Sequence, residues 1–408
     1  MRIDQHLGHL SYCSNIHPGE SWAECFLNLQ TYTTEVKKGL TNEKFGIGLR
    51  LSHNASLELL EHNNLLEFKR WLEDAQMYVF TINGFPYGGF HDQIVKDAVH
   101  APDWTTIERL EYTKRLFYIL SELLPEGLDG GVSTSPISYR YWHKNDQDLS
   151  KVKKTACRYF GELIIYLNEL KDKTGKSLHL DLEPEPDGVI ETTAEFIDFF
   201  NNHLLIESQS LICDRLNISK ATADAIIREH FQICFDVCHF AVGFEKPAVV
   251  LKTLKSANIK VGRIQISAAL SSGRINHEDV DWVKEEFKVF DEPTYLHQAV
   301  VKEKNDNLLR YRDLSFALES FDKFDFNEIR THYHVPVFTE KYGRLVSTQQ
   351  DIIDTLAVWK ETNFTNHLEV ETYTWGVLPE KMQIDIVGSI VRELDWVRDT
   401  LSKSLSNE

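Results

Sequence analysis

Leu178-His179-Leu180-Asp181-Leu182-Glu183-Pro184-Glu185-Pro186 decides the reading of this chain. Side chains alternate across a strand, so Leu178, Leu180 and Leu182 share one face and His179, Asp181 and Glu183 the other. Such a strand suits a closed barrel. The leucines pack on outer helices, the acidic face points inward, and Glu183 reaches the rim where prolines end the strand.

Similar short apolar runs recur and are separated by longer amphipathic ones. The candidate strands are Leu10–Ile16, Phe45–Leu51, Met77–Ile82, Gly130–Thr134, Ser177–Leu182, Phe231–Val237, Gly262–Ile266, Thr331–Phe338 and His367–Thr372. A helix is predicted from about Ser21, where Trp22, Phe26, Leu29 and Tyr32 share a face. Further helices are predicted over Ser56–Gln76, Trp104–Leu124, Leu149–Asp172, Thr193–Ile206, Lys246–Ala257, Asp351–Glu361 and Glu380–Leu401. Strands alternating with helices imply parallel pairing, because each crossover helix returns the chain to the same end of the sheet. Over 408 residues this favours an α/β fold of the (β/α)8 TIM-barrel type. No Gly-x-Gly-x-x-Gly follows the first strand, which weakens the dinucleotide-binding alternative. No linker rich in Pro, Gly or Ser divides the chain. We therefore expect one TIM-barrel domain over residues 1–408, with long insertions near 84–103 and 270–330. The charged, poorly periodic stretch Asn276–Asn327 forms most of the second insertion.

The chain carries 44 Lys and Arg against 62 Asp and Glu, a net charge of −18. Nucleic acid is thereby disfavoured as a partner, since phosphate-backbone binding needs clustered cations. No apolar stretch approaches a membrane span, and Met1–Leu10 has no signal-peptide core. Cys13, Cys25, Cys157, Cys213, Cys234 and Cys238 are scattered without zinc-finger spacing, as in a cytoplasmic protein with reduced thiols.

A barrel places its active site at the carboxyl ends of its strands, and several strands here end in ionisable groups. Glu183 ends the fifth. Asp236 ends the apolar run Ile233–Val237, with His239 three residues on. Gln265 faces inward on the seventh with Arg263 and Ser267. His332 and His334 share a face, and Glu369, Glu371 and Tyr373 alternate on the last strand. Carboxylates with His or Gln converging on one point suit a divalent ion: Mn²⁺, Zn²⁺, Co²⁺ or Mg²⁺. The fitting chemistry is proton abstraction next to a carbonyl. Glu183 and Glu371 would flank the carbon as acid and base, while the ion stabilises the enediolate. Hydride transfer between neighbouring carbons is an open variant. His17, Arg50, Asn83, His91, Ser133, Arg140, His239, His332 and Tyr373 are the candidate substrate contacts. Arg50, Arg140, Arg263 and Lys341 are candidates for gripping a phosphate or carboxylate.

Glu183-Pro184, Asp236-x-x-His239 and Glu371 resemble the metal-site pattern of the xylose-isomerase-like barrel superfamily, which includes sugar isomerases, epimerases and endonuclease IV-type repair enzymes. Longer motifs resemble the EboE-type metabolite-traffic family of the Ebo cluster. They are Tyr12–Trp22, Phe80–Gly88, Pro102–Thr106, His334–Val337 and Glu369–Trp375. The resemblance implies a metal-dependent isomerase or epimerase acting on a sugar, sugar phosphate or cyclitol within a metabolite biosynthesis or export pathway, in possible contact with other Ebo-cluster proteins. It implies Glu183, Asp236 and Glu371 as metal ligands. The superfamily's usual seventh-strand His is Gln265 here, so Gln265 or His334 would complete the site. That departure also motivates the alternative of a non-catalytic metabolite carrier or scaffold. Endonuclease-type repair is disfavoured by the charge.

Overall fold

The computed structural model describes residues 1–3, 8–91, 93–275, 280–320, 326–378 and 385–403. Eight parallel strands carry the fold: β1 (His9–Tyr12), β2 (Phe45–Arg50), β3 (Met77–Asn83), β4 (Gly130–Thr134), β5 (Leu178–Leu182), β6 (Phe231–Asp236), β7 (Val261–Ile266) and β14 (His367–Val370). They pair in the order β1-β14-β7-β6-β5-β4-β3-β2. The two ends meet through a parallel bridge between Cys13 and Gly48. The Ser11 hydroxyl reinforces this seam, donating to Gly46 O and accepting from Gly48 N, both at 2.8 Å. A Cβ on Gly48 would lie 1.9 Å from Glu369 Oε1, so only glycine fits beside that carboxylate. The fold is the expected TIM barrel.

Helices fill the connections and bury the outer strand faces. The expected helix near Ser21 begins at Trp22, where Ser21 and Glu24 form a reciprocal capping box. Its apolar face buries Trp22 and stacks it on Phe26. The predicted helix over Ser56–Gln76 is two, His53–Glu58 and Asn64–Asp74. Helices Ile107–Leu123 and Asp146–Thr174 lie near their predicted bounds. Of the predicted Glu380–Leu401, residues 380–384 fall outside the described residues and all of the rest but Asp385 lies in the helix Ile386–Lys403. Among the described residues no helix is long and apolar enough to cross a membrane, and all six cysteines are free.

One expectation needs correction. Thr331–Phe338 resembled a further barrel strand. It instead lies mostly in a second, six-stranded antiparallel sheet: β8 (Ala268–Ser271), β9 (Ala299–Glu303), β10 (Leu308–Tyr311), β11 (Phe326–Val335), β12 (Lys341–Tyr342) and β13 (Leu345–Ser347), in the order β10-β9-β11-β8-β13-β12. The cause is local. β8 follows β7 after a single residue, Ser267, and offers an open edge to β11. Part of the expected insertion, residues 276–279 and 321–325, lies outside the described residues. The β11–β8 register shifts between Thr331 and Val335. Such a bulge re-aims side chains, here those of His332 and His334. The loop after β3 meets this insertion, with Val95 N bonded to Thr294 O at 2.8 Å. Phe90 packs on Tyr295 and Tyr373.

Charge also fills the barrel interior. Arg263, fully buried, donates to Glu369 Oε2 at 2.7 Å, Ile82 O at 2.9 Å, Gly131 O at 3.1 Å and the Thr81 hydroxyl. Its Nε lies 3.6 Å from Asp181 Oδ2, and Asp181 Oδ1 pairs with His179 Nδ1 at 2.6 Å. This layer is close to neutral, as buried charge must be.

Candidate metal centre

Above that layer the strand ends bring Glu183, Asp236 and Glu371 together, with one oxygen of each within 4.8 Å of the others. All three are buried. Asn15 and Asn83 donate to Glu371 Oε1 at 2.7 and 2.8 Å. His239 N and the Ser267 hydroxyl donate to Asp236 Oδ1 at 3.0 and 2.8 Å. Glu183 Oε2 and Asp236 Oδ2 are buried without a hydrogen-bond partner. Burial pushes the Glu183 and Glu371 carboxyls well above the ordinary range. Glu371, Asp236 and Glu185 add to this at Glu183, and Asp236 and Glu369 at Glu371. Three converging carboxylates with orphaned oxygens, and no Lys or Arg in hydrogen-bond contact among the described residues, fit a divalent ion.

Three imidazoles flank this cluster. His239 Nε2 is 3.9 Å from Asp236 Oδ1, and His334 Nε2 is 3.9 Å from Asp236 Oδ2. His332 Nε2 lies 3.1 Å from His239 Nε2 and 3.3 Å from His334 Nε2. Burial pushes the His334 pKa down to about 4 and that of His332 well below its usual range.

A narrow cleft of about 530 Å³, counted to its opening, leads to these groups. Glu183, His239, His332, His334 and Glu371 line its floor. Phe85, Phe90, Val95, Val99, Tyr295 and Tyr373 line its walls. Asn83, His239, His332 and Tyr373 are thus at the cleft, as the sequence suggested. His17, Arg50, His91, Ser133 and Arg140 do not line it, and the structure gives each another role. His17 stacks on Tyr32 and bonds Tyr12. Arg50 is engaged by Glu20 Oε1, Gly19 O and Gly88 O. Arg140 pairs with Glu195 at 2.7 Å and bonds Gly188 O. Ser133 faces Arg263 inside the barrel. His91 Nε2 donates to Asn15 O at 2.6 Å, one step behind Glu371. Lys341 lies at a separate surface hollow with Trp375 and Arg392. Gln265 is fully buried, accepts the Cys234 thiol at Oε1, 2.8 Å, and leaves its Nε2 without a partner. Sequence reasoning missed Asn15, Glu185 and Gln298. Asn15 follows a short strand, a weak signal, and nothing local singles out Gln298.

No protein-family model matches the chain, and no curated protein is similar to it at a significant level. Solved structures are similar in fold. A xylose isomerase-like TIM-barrel protein from Mycobacterium smegmatis, in complex with magnesium, matches over 100% of both chains at 10% identity, with a TM-score of 0.52. The IOLI protein with a bound zinc atom covers 98% of this chain and 99% of its own at 12% identity, TM-score 0.49. A D-tagatose 3-epimerase-like protein covers 98% and 100% at 12% identity, TM-score 0.48. The chain therefore has the xylose-isomerase-like TIM-barrel fold.

Proposed function

We propose that this protein is a metal-dependent isomerase or epimerase that moves a proton next to a carbonyl of an unphosphorylated polyhydroxy compound, a sugar or cyclitol. The convergence of Glu183, Asp236 and Glu371 at the strand ends carries this reading. Glu183, Asp236 and Glu371 would hold the ion, with His334 beside them. The ion, once bound, supplies electrostatic stabilisation of the oxyanion that develops when the α-proton leaves. Glu183 and Glu371 come from β5 and β14, on different sides of the barrel mouth. One takes the proton from the substrate carbon and the other returns a proton to the opposite face, so the net reaction inverts or relocates that centre without a co-reactant. Asn15 and Asn83 hold Glu371 in place.

The cations favour an uncharged substrate over a sugar phosphate. Among the described residues lining the cleft, Lys96 is the one Lys or Arg, and it is paired with Asp313 at 2.6 Å. Arg50, Arg140 and Arg263 are bonded elsewhere. The aromatic walls suit the C–H face of a ring. The motif resemblance to the metabolite-traffic family supports a role in handling a small metabolite, and the six free cysteines support a reducing, cytoplasmic setting. We further infer that barrel and second sheet form one domain, since β11 supplies two of the cleft's histidines.

The test is solvent exchange. Protein loaded with Mn²⁺ in D2O is offered free ketoses, inososes and the corresponding phosphates. Deuterium should enter one carbon of an unphosphorylated compound, and Glu183→Gln and Glu371→Gln should each lower that rate at least ~100-fold. Binding of such compounds without exchange would favour the carrier reading instead.

A further inference from the structure

We propose that His239, His332 and His334 form a second metal seat, nitrogen-rich and separate from the carboxylate seat, with Asp236 facing both. The far side of each ring fixes its tautomer. His239 Nδ1 lies 2.9 Å from Pro184 O and His334 Nδ1 3.1 Å from Glu371 O. A carbonyl only accepts, so both Nδ1 atoms carry the proton. His332 Nδ1 lies 2.8 Å from Gln298 Oε1. The Gln298 amide is oriented by its Nε2, which donates to Pro186 O at 3.0 Å, so His332 Nδ1 is a donor too.

With every Nδ1 protonated, a neutral ring presents a lone pair at Nε2. The His332 Nε2 faces the Nε2 atoms of both other rings. His332 Nε2 stands 3.1 Å from His239 Nε2 and 3.3 Å from His334 Nε2, inside a buried cluster. The Tyr373 hydroxyl, 3.3 Å away, can donate to one of them. Lone pairs opposed at this distance call for a cation between them. Ligands about 2.0–2.1 Å from a tetrahedral zinc ion stand roughly 3.3–3.4 Å apart, which is close to the spacing seen. Imidazoles held at Nδ1 by carbonyls are the usual outer support of such ligands.

The donor sets differ in kind. Three imidazoles favour Zn²⁺ or Co²⁺, whereas Glu183, Asp236 and Glu371 favour Mn²⁺ or Mg²⁺. Asp236 Oδ1 faces His239 and Oδ2 faces His334, each at 3.9 Å, so one carboxylate can serve two ions. Two of the three imidazoles come from β11, outside the barrel. The second sheet thus completes a centre that the eight barrel strands leave unfinished, in a chain where Gln265 occupies the inward position on β7.

This seat shares Asp236 with the proposed catalytic site but does not depend on its chemistry. The test is a Co²⁺ titration of the chelator-stripped full-length protein, read by visible absorption and by metal content after desalting. We expect two equivalents, one giving the intense band of four-coordinate Co²⁺. His332→Ala should abolish that band and one equivalent. The doubly substituted Glu183→Gln, Glu371→Gln protein should keep the band and lose the other equivalent. A single equivalent whose spectrum His332→Ala leaves unchanged would overturn the proposal. Zinc-edge anomalous diffraction from unsubstituted crystals gives an answer free of folding effects. A peak within bonding distance of all three Nε2 atoms supports the seat, and none at millimolar Zn²⁺ overturns it. Both seats filled without solvent exchange would refute only the isomerase reading. Exchange with one ion bound would refute only the second seat.

Discussion

Two layers of the same barrel treat buried carboxylates in opposite ways. In the inner layer Glu369 and Asp181 surround Arg263, and the backbone oxygens of Ile82 and Gly131 take up its remaining donors. Each layer leaves two buried carboxylate oxygens without a hydrogen-bond partner, Asp181 Oδ2 and Glu369 Oε1 inside and Glu183 Oε2 and Asp236 Oδ2 at the mouth, but among the described residues no Lys or Arg pairs with Glu183, Asp236 or Glu371. The inner layer holds its own cation, Arg263. The outer one has no such side chain, and a bound cation would take its place under the proposed reading. Residue type and burial are alike in both, so the difference that marks the site is missing compensation.

The largest expected effect breaks the inner layer. Arg263→Met would leave Glu369 and Asp181 buried without their cation, and urea unfolding should show a loss of about 3–5 kcal/mol. A third treatment of a buried carboxylate is protonation. Burial pushes Glu393 up to about 7, against the hydrogen bonds from Thr372 and Val337 N that lower it. The folded chain therefore binds the proton more tightly than the unfolded one. The stability this contributes is present at low pH and is lost as pH rises toward 7, by about 3 kcal/mol in all. Glu393→Gln should flatten the pH dependence of the unfolding free energy between about pH 5 and 7. A slope unchanged by that substitution would mean that another group titrates.

At the mouth the sign reverses. Glu183→Gln should make the metal-free protein more stable, by about 1–2 kcal/mol, because burial and, after it, the neighbouring carboxylates disfavour the charged form of Glu183. Mn²⁺ at a hundredfold excess over its Kd should raise the stability of the unsubstituted protein by about 2.7 kcal/mol, an increment that Glu183→Gln diminishes. The smallest effect is Asn83→Ala, which removes one of two donors to Glu371 Oε1 and should cost about 1 kcal/mol of stability in the metal-loaded protein. An equal cost in the inner and outer layers for these substitutions would erase the contrast.

Much of this was legible because strand alternation is a local signal. His179, Asp181 and Glu183 point inward next to three leucines, and Asp236 ends a run too apolar to lie on the surface. The pair His332 and His334 could be assigned to one face, though not to its partner His239, which lies far away in sequence and meets them only after β11 joins β8. The arginines show the opposite limit. Arg50 and Arg140 look like anion grips until Glu20 and Glu195 are seen against them. The second sheet was illegible for a related reason. Its strands β9 and β10 are short and partly polar, and β8 becomes a separate strand only because its edge is taken by β11 and β13.

The most direct test of the contrast between the layers is anomalous diffraction from crystals grown with Mn²⁺. We predict one strong peak in bonding contact with Glu183, Asp236 and Glu371 and none beside Glu369 or Asp181. A mouth without a peak, at Mn²⁺ concentrations that leave the protein folded, would contradict the assignment of these carboxylates as a metal centre.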